Sequence, residues 1–250
     1  MNALITGCNW NNIGTFISGF DFTTQRDSNI LIAQNLGMSD YNAFTRILIS
    51  GNSAATTVTT AGTYYKVAGT NTYSFGNKFG IGNNSITYYS INPINCLSCV
   101  IGSFSSSSIN RTVIFALRKS LNVSTVTGQG TKVTITTTTY HNLISGDKIQ
   151  MLGWSGGTGI WNGVFTITVT DTKTFTYAAT GKTTATGGTC GALFSLVPIR
   201  VLTAGVPFLY AVQAIINNLQ LNEVCELYLT SSSNGDKITV TDLNWVTNMI

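Results

Sequence analysis

From Arg46 onward, short segments of this chain place apolar residues at every second position, and apolar periodicity of helical length is absent. The clearest case is Lys237-Ile-Thr-Val-Thr-Asp-Leu-Asn-Trp-Val. There Ile238 and Val240 fall on one face, Thr239 and Thr241 on the other, and Leu243 extends the inner set one residue out of step. The same period predicts strands near Arg46–Ser50, Thr56–Thr60, Gly62–Gly69, Leu97–Phe104, Thr112–Arg118, Leu193–Leu202, Phe208–Asn217 and Val224–Thr230. Phe79-Gly-Ile and Ser85-Ile-Thr-Tyr-Tyr-Ser read as a hairpin turning at Gly82-Asn83-Asn84. The Thr112–Arg118 run alternates only loosely, as a strand covered on both faces does. Together these segments predict an all-β chain: a two-sheet antiparallel sandwich of jelly-roll type.

A different β pattern occupies the middle of the chain. Ser145-Gly146-Asp147 and Asn162-Gly163 carry turn chemistry. Val164–Val169 and Thr174–Tyr177 read as strands joined at Asp171-Thr172-Lys173, and Gly153–Gly159 reads as a flexible loop flanked by Trp154 and Trp161. Outer-domain β sequence lies on both sides, which predicts a small β domain over 125–191 inserted into a host formed by 46–124 and 192–250. Residues 1–45 lack a period of their own. Ser28–Leu36 fits a short helix or a strand, and the whole stretch reads either as a docking segment or as an ordinary lobe of the host.

Composition sharpens this picture. Charged residues are only 9%, against roughly a quarter in an average soluble domain. So few charges leave little to oppose self-association, and a homo-oligomer is expected. The net charge of +4 is carried by scattered Lys and Arg with no basic cluster, which argues against a nucleic-acid partner. Ala192–Ile216 is apolar, but Pro198, Arg200, Gly205 and Pro207 make it a poor membrane span. Two strands joined at Thr203-Ala204-Gly205 fit better. No positively charged and then apolar leader opens the chain. The five cysteines, Cys8, Cys96, Cys99, Cys190 and Cys225, are irregularly spaced and read as small buried hydrophobes of a protein folded in a cytosol. Cys96 and Cys99 fall on opposite faces of one strand, which suits neither a redox pair nor a zinc site.

Candidate chemistry is sparse. His141 is the single histidine, and no G-x-S-x-G turn accompanies it, so it reads as a structural residue. Glu223 and Glu226, the only glutamates, face opposite ways in a strand and do not form a hydrolytic pair. No metal, cofactor or catalytic set is expected. Trp154 is the candidate glycan contact, with Trp161 assigned to the core. Tyr64, Tyr65, Tyr210 and Tyr228 are candidate subunit-interface residues, since a polar-tipped aromatic suits such a surface.

Residues 46–121 and 192–250 resemble a family of tailed-phage structural proteins. The resemblance runs through Ser53-Ala-Ala-Thr-Thr-Val-Thr-Thr-Ala-Gly-Thr-Tyr-Tyr-Lys-Val-Ala, Asn77-Lys-Phe with Ser85-Ile-Thr-Tyr, and Asn110-Arg-Thr-Val-Ile-Phe-Ala-Leu-Arg-Lys. It continues in Leu221-Asn-Glu-Val-Cys-Glu-Leu-Tyr-Leu-Thr and Asp236-Lys-Ile-Thr-Val-Thr-Asp-Leu-Asn. Members resemble the trimeric jelly roll of the tumour-necrosis-factor and complement type. The insert resembles a small β module of phage and bacterial surface proteins, through His141-Asn-Leu-Ile-Ser-Gly-Asp-Lys-Ile, Trp161-Asn-Gly-Val-Phe-Thr-Ile and Asp171-Thr-Lys-Thr-Phe-Thr-Tyr. The resemblance implies a non-enzymatic homotrimer on a virion surface, made in the host cytoplasm. It would be attached to capsid or fibre proteins through residues 1–45, without membrane insertion. The alternative it allows is a tail-fibre tip that recognises a host glycan.

Overall fold

The computed structural model describes residues 44–249 apart from 77–78, 82–85, 91–92 and 222. Positions 1–43 of the expected docking segment, Cys8 and the turn at Gly82-Asn83-Asn84 lie outside the described residues. Phe44 and Thr45 already belong to the first strand.

All regular secondary structure among the described residues is strand. Eight strands precede the insert: β1 (Phe44–Ile49), β2 (Ala55–Val58), β3 (Tyr65–Lys66), β4 (Tyr73–Gly76), β5 (Phe79–Ile81), β6 (Thr87–Ser90), β7 (Ile94–Ser106) and β8 (Arg111–Leu121). The insert supplies β9 (Val123–Thr137), β10 (Lys148–Leu152), β11 (Thr158–Gly159), β12 (Gly163–Val169) and β13 (Thr174–Ala185). The chain returns through β14 (Thr189–Val201), β15 (Phe208–Leu219), β16 (Val224–Ser231) and β17 (Asp236–Met249).

Two antiparallel sheets pack as a sandwich. One runs β15-β7-β17-β1-β4, with β2 also on β17. In the other, the host strands run β14-β8-β16-β6-β5, with β3 also on β16. Successive long strands change sheets: β7 to β8, β14 to β15, β15 to β16 and β16 to β17. Such exchange between sheets makes a jelly roll. The apolar run Ala192–Ile216 is divided between β14 and β15, and the turn between them is tied to the end of β7 by Gly205 N–H donating to Ser106 O. Among the described residues no helix is long and apolar enough to cross a membrane.

The inward residues of both sheets form one core, in which aromatic edges and faces interlock. Phe115 of β8 stacks on Tyr210 of β15 at 4.1 Å, and Trp245 of β17 meets Tyr88 of β6 edge-on at 5.1 Å. The buried Trp245 Nε1 donates to Ser98 Oγ at 2.6 Å, which satisfies the indole inside the core. The out-of-step Leu243 is buried because β17 shifts register between Val240 and Asp242, a bulge that restores its inward direction.

The insert has its own core around Val133, Ile135, Ile149, Trp161, Ile167, Phe175 and Tyr177. Its backbone does not stand apart from the host. Strand β10 pairs with β14 from Lys148↔Leu193 to Leu152↔Thr189, so host and insert strands make one continuous sheet. The expected boundary at Ala192 falls inside β14, which pairs with β10 and β8 at once. Gly153–Gly159 is tied down at several points. Ser155 bridges to Thr186, Thr158 and Gly159 pair with β13, and Trp161 Nε1 donates to Gly156 O at 2.7 Å. Trp161 lies where a Cβ on Gly159 would come within 2.7 Å of its ring, so that position stays a glycine.

Candidate functional site

A polar cluster lies where the insert folds against the outer face of the host sheet. Register places Lys148, Leu193, Arg118, Glu226 and Thr87 in one row across β10, β14, β8, β16 and β6. Gln150 and Gly191 are paired in the neighbouring row. Tyr64, Ala116, Leu193 and Tyr228 form a small third core there, with Ile114, Val164 and Leu196 packed on it. This explains the weak alternation of β8: Val113, Phe115 and Leu117 face the sandwich, while Ala116 and Arg118 are buried on the other side beneath the insert.

Arg118 is the centre of this joint. Its guanidinium donates to Thr189 Oγ1 at 3.2 Å, lies 5.1 Å from the Tyr228 ring centroid, and stands 3.8 Å from Glu226 Oε2. Glu226 Oε1 in turn accepts from Lys66 Nζ at 2.6 Å. Gln150 Nε2 donates to Tyr64 O at 2.7 Å, linking the insert directly to the loop before β3. Arg118 Nε and Gln150 Oε1 are buried without a hydrogen-bond partner. Burial holds the Tyr228 hydroxyl up at about 12 and raises that of Tyr64. These groups hold shape and charge; no nucleophile with an adjacent base is among them.

The structure redistributes the tyrosines expected at a subunit interface. Tyr64 and Tyr228 are interface residues within one chain, packed between insert and host. Tyr210 is corrected to a core residue: it points inward onto Phe115 and is buried, so it offers no surface to a neighbour. Strand parity left its face undetermined, and the outward positions of that strand are Leu209, Ala211, Gln213 and Ile215. Tyr65 is half-buried, with its hydroxyl 2.6 Å from Thr59 Oγ1.

Trp154 is half-buried, and its indole N–H donates to Thr189 O at 3.0 Å. Its backbone is clamped by the Asn162 carboxamide, which accepts from Trp154 N and donates to Trp154 O, each at 2.8 Å. A sugar would therefore meet only the exposed part of the ring.

The remaining titratable groups are engaged structurally. His141 is buried; its Nδ1 accepts from Leu143 N at 2.9 Å, so Nε2 carries the proton given to Asp171 O at 3.0 Å. Burial lowers its pKa. Glu223 and Glu226 point to opposite sides. Glu223 Oε2 lies 3.2 Å from Lys119 Nζ inside the host, and Lys119 also donates to Asn217 O and Asn218 O. Sequence reasoning missed Lys119, yet it falls in step with Val113, Phe115 and Leu117, the core-facing positions of β8. Cys96 is in the core and Cys99 on the outer face of β7, as their spacing requires. Asp236 is buried and accepts from the hydroxyls of Ser106, Ser107 and Ser231, which fastens β7, β16 and β17 together at one end of the sandwich.

Comparison of the sequence with protein-family models and with curated proteins found no match.

Proposed function

We propose that this chain is a non-enzymatic structural protein of a tailed-phage virion, a homotrimer that decorates the particle surface. In this reading residues 1–45 attach it to a capsid or fibre protein and the insert is directed outward. The observation that supports it is the strand order. The two sheets exchange successive strands in the jelly-roll manner, and the insert enters between β8 and β14. The engagement of His141, Glu223 and Glu226 in local bonds agrees with a structural role.

The test is addition of purified full-length protein to phage particles that lack it. Binding at fixed stoichiometry, lost when residues 1–45 are removed, is the expected result. Failure to bind particles, with binding to host polysaccharide that Trp154→Ala abolishes, would replace decoration by a fibre-tip role.

A further inference from the structure

The two sheets of this chain treat solvent differently. On the insert, the outward positions follow the rule for a sheet with one wet face. Val133 and Ile135 of β9 point into the core, and Thr134 and Thr136 point out, with Thr174 of β13 beside Thr136. The sheet containing β15, β7 and β17 breaks that rule. Its inner face carries Val100, Phe104, Val212, Ile216, Val240 and Trp245. Its outer face carries large exposed apolar residues on β15 and β7, where Leu209 is 81% exposed, Ile101 54% and Ile215 54%, beside the polar Asp242, Asn244 and Asn248 of β17. Register sets these three along one stripe of two neighbouring strands. Leu209 is opposite Ser103, Ala211 opposite Ile101, and Ile215 opposite Leu97, with Cys99 between Leu97 and Ile101 on β7.

We infer that this outer face is the surface through which copies of this chain pack on one another, an assignment that rests on the homo-oligomeric reading above. Its area fits. Strands β7, β15 and β17 are 13, 12 and 14 residues long. At ~3.4 Å per residue and ~4.8 Å between strands they present on the order of 600 Å², close to the ~800 Å² each partner gives to a stable interface. Its electrostatics fit a second copy better than a charged partner. Arg46 Nε is turned to Asn244 Oδ1, and Asp242 accepts from Ser103 Oγ and from Gly51 N. The outward positions of β15 and β7 carry no charged side chain, so identical copies meet on that part of the face without like-charge repulsion.

The experiment is light-scattering mass of the full chain and of Leu209→Glu, Ile101→Glu and, as a control on the insert, Ile144→Glu, whose side chain is 72% exposed. Circular dichroism and thermal melting establish that each variant is folded, which the exposure of Leu209 and Ile144 favours. The expected result is a trimeric wild type and control, with Leu209→Glu and Ile101→Glu falling to one third of that mass. A trimer unchanged in both face variants overturns the assignment of the face and leaves the trimer standing. A dimer that both variants dissociate upholds the face and overturns the trimer. A monomeric wild type overturns both, and identifies the covering of this face as something other than a second copy.

Discussion

Lys119 and Glu223 form an ion pair of 3.2 Å whose side chains are both withdrawn from solvent, at the end of the host sandwich nearest the insert. Burial dominates both groups: it raises the Glu223 carboxyl and lowers the Lys119 ammonium, each against the pull of its partner. Removing one partner strands a buried charge, so Lys119→Met or Glu223→Leu alone should cost about 3–5 kcal/mol. The double variant should recover most of that loss. Chemical denaturation of the three variants, analysed as a cycle, measures it. Equal losses in the single and double variants would contradict the expectation.

The same pair shapes the pH dependence of stability. A raised carboxyl holds its proton to higher pH in the folded chain than in the unfolded one, so its contribution falls as pH rises out of the ordinary glutamate range. A lowered ammonium releases its proton earlier in the folded chain, so its contribution grows as pH climbs toward the ordinary lysine range. The two slopes leave a minimum between the ordinary glutamate and lysine ranges. Thermal melts across that range should show the dip in wild type and a flatter profile in the double variant.

His141 adds a slope of the opposite sense to that of Glu223. Its folded pKa lies below the ordinary histidine value because burial disfavours the cation, and Nδ1 must stay bare to accept from Leu143. Its contribution is present above the ordinary value of ~6.5 and is lost as pH falls through the folded value. Acidification should therefore loosen the insert. His141→Asn should remove about 1–2 kcal/mol at neutral pH and reduce the acid dependence. Tryptophan fluorescence followed from neutral to acid pH reports it through Trp154 and Trp161.

Gly191 lies beneath the Arg118 side chain, where a Cβ would stand 2.5 Å from Arg118 Cζ. Arg118 is fixed by Thr189 and Tyr228 and has little room to yield. Gly191→Ala should cost about 1–3 kcal/mol through overpacking, read as a lowered melting temperature. An unchanged melting temperature would mean that the joint is looser than its packing indicates.

Thiol chemistry should separate the cysteines. Burial pushes Cys96 up to about 11, Cys190 up to about 12 and Cys225 higher still, and thiols held protonated react slowly. Cys99, half-buried on the outer face of β7, is the accessible one among the described cysteines. In a Cys8→Ser background, a maleimide should label four thiols after denaturation. In the folded protein it should label only Cys99, and that only in the dissociated Leu209→Glu variant, because copies packed on the β15–β7 face cover it. Rapid labelling that persists in the further variant Cys99→Ser would contradict this.

Much of the host was legible in the sequence. The Phe208–Asn217 and Lys237–Val246 segments alternate strongly enough to place β15 and β17, and three-residue spacing fixed the opposite directions of Cys96 and Cys99. What local pattern does not encode is which strands lie side by side across long separations. Alternation along β15 could not decide whether Tyr210 faced in or out, and it points inward to stack on Phe115. Tyr64 sits in the loop before β3, and its burial depends on Val164 and Gln150, about a hundred residues later in the chain. The joint around Arg118 was invisible for the same reason. An arginine in a strand reads as solvated until the sheet it meets is known.

The shared strand β14 has a mechanical consequence. The chain leaves the host at Leu121 and re-enters beside it at Cys190, opposite one another in the ladder. A pull on the insert therefore draws β8 and β14 lengthwise together, and the rungs joining β8 to β16 share the load in shear. Rungs loaded together resist far more force than rungs peeled one at a time. A unit tethered by a flexible linker would swing freely; this one transmits tension straight into the host sandwich.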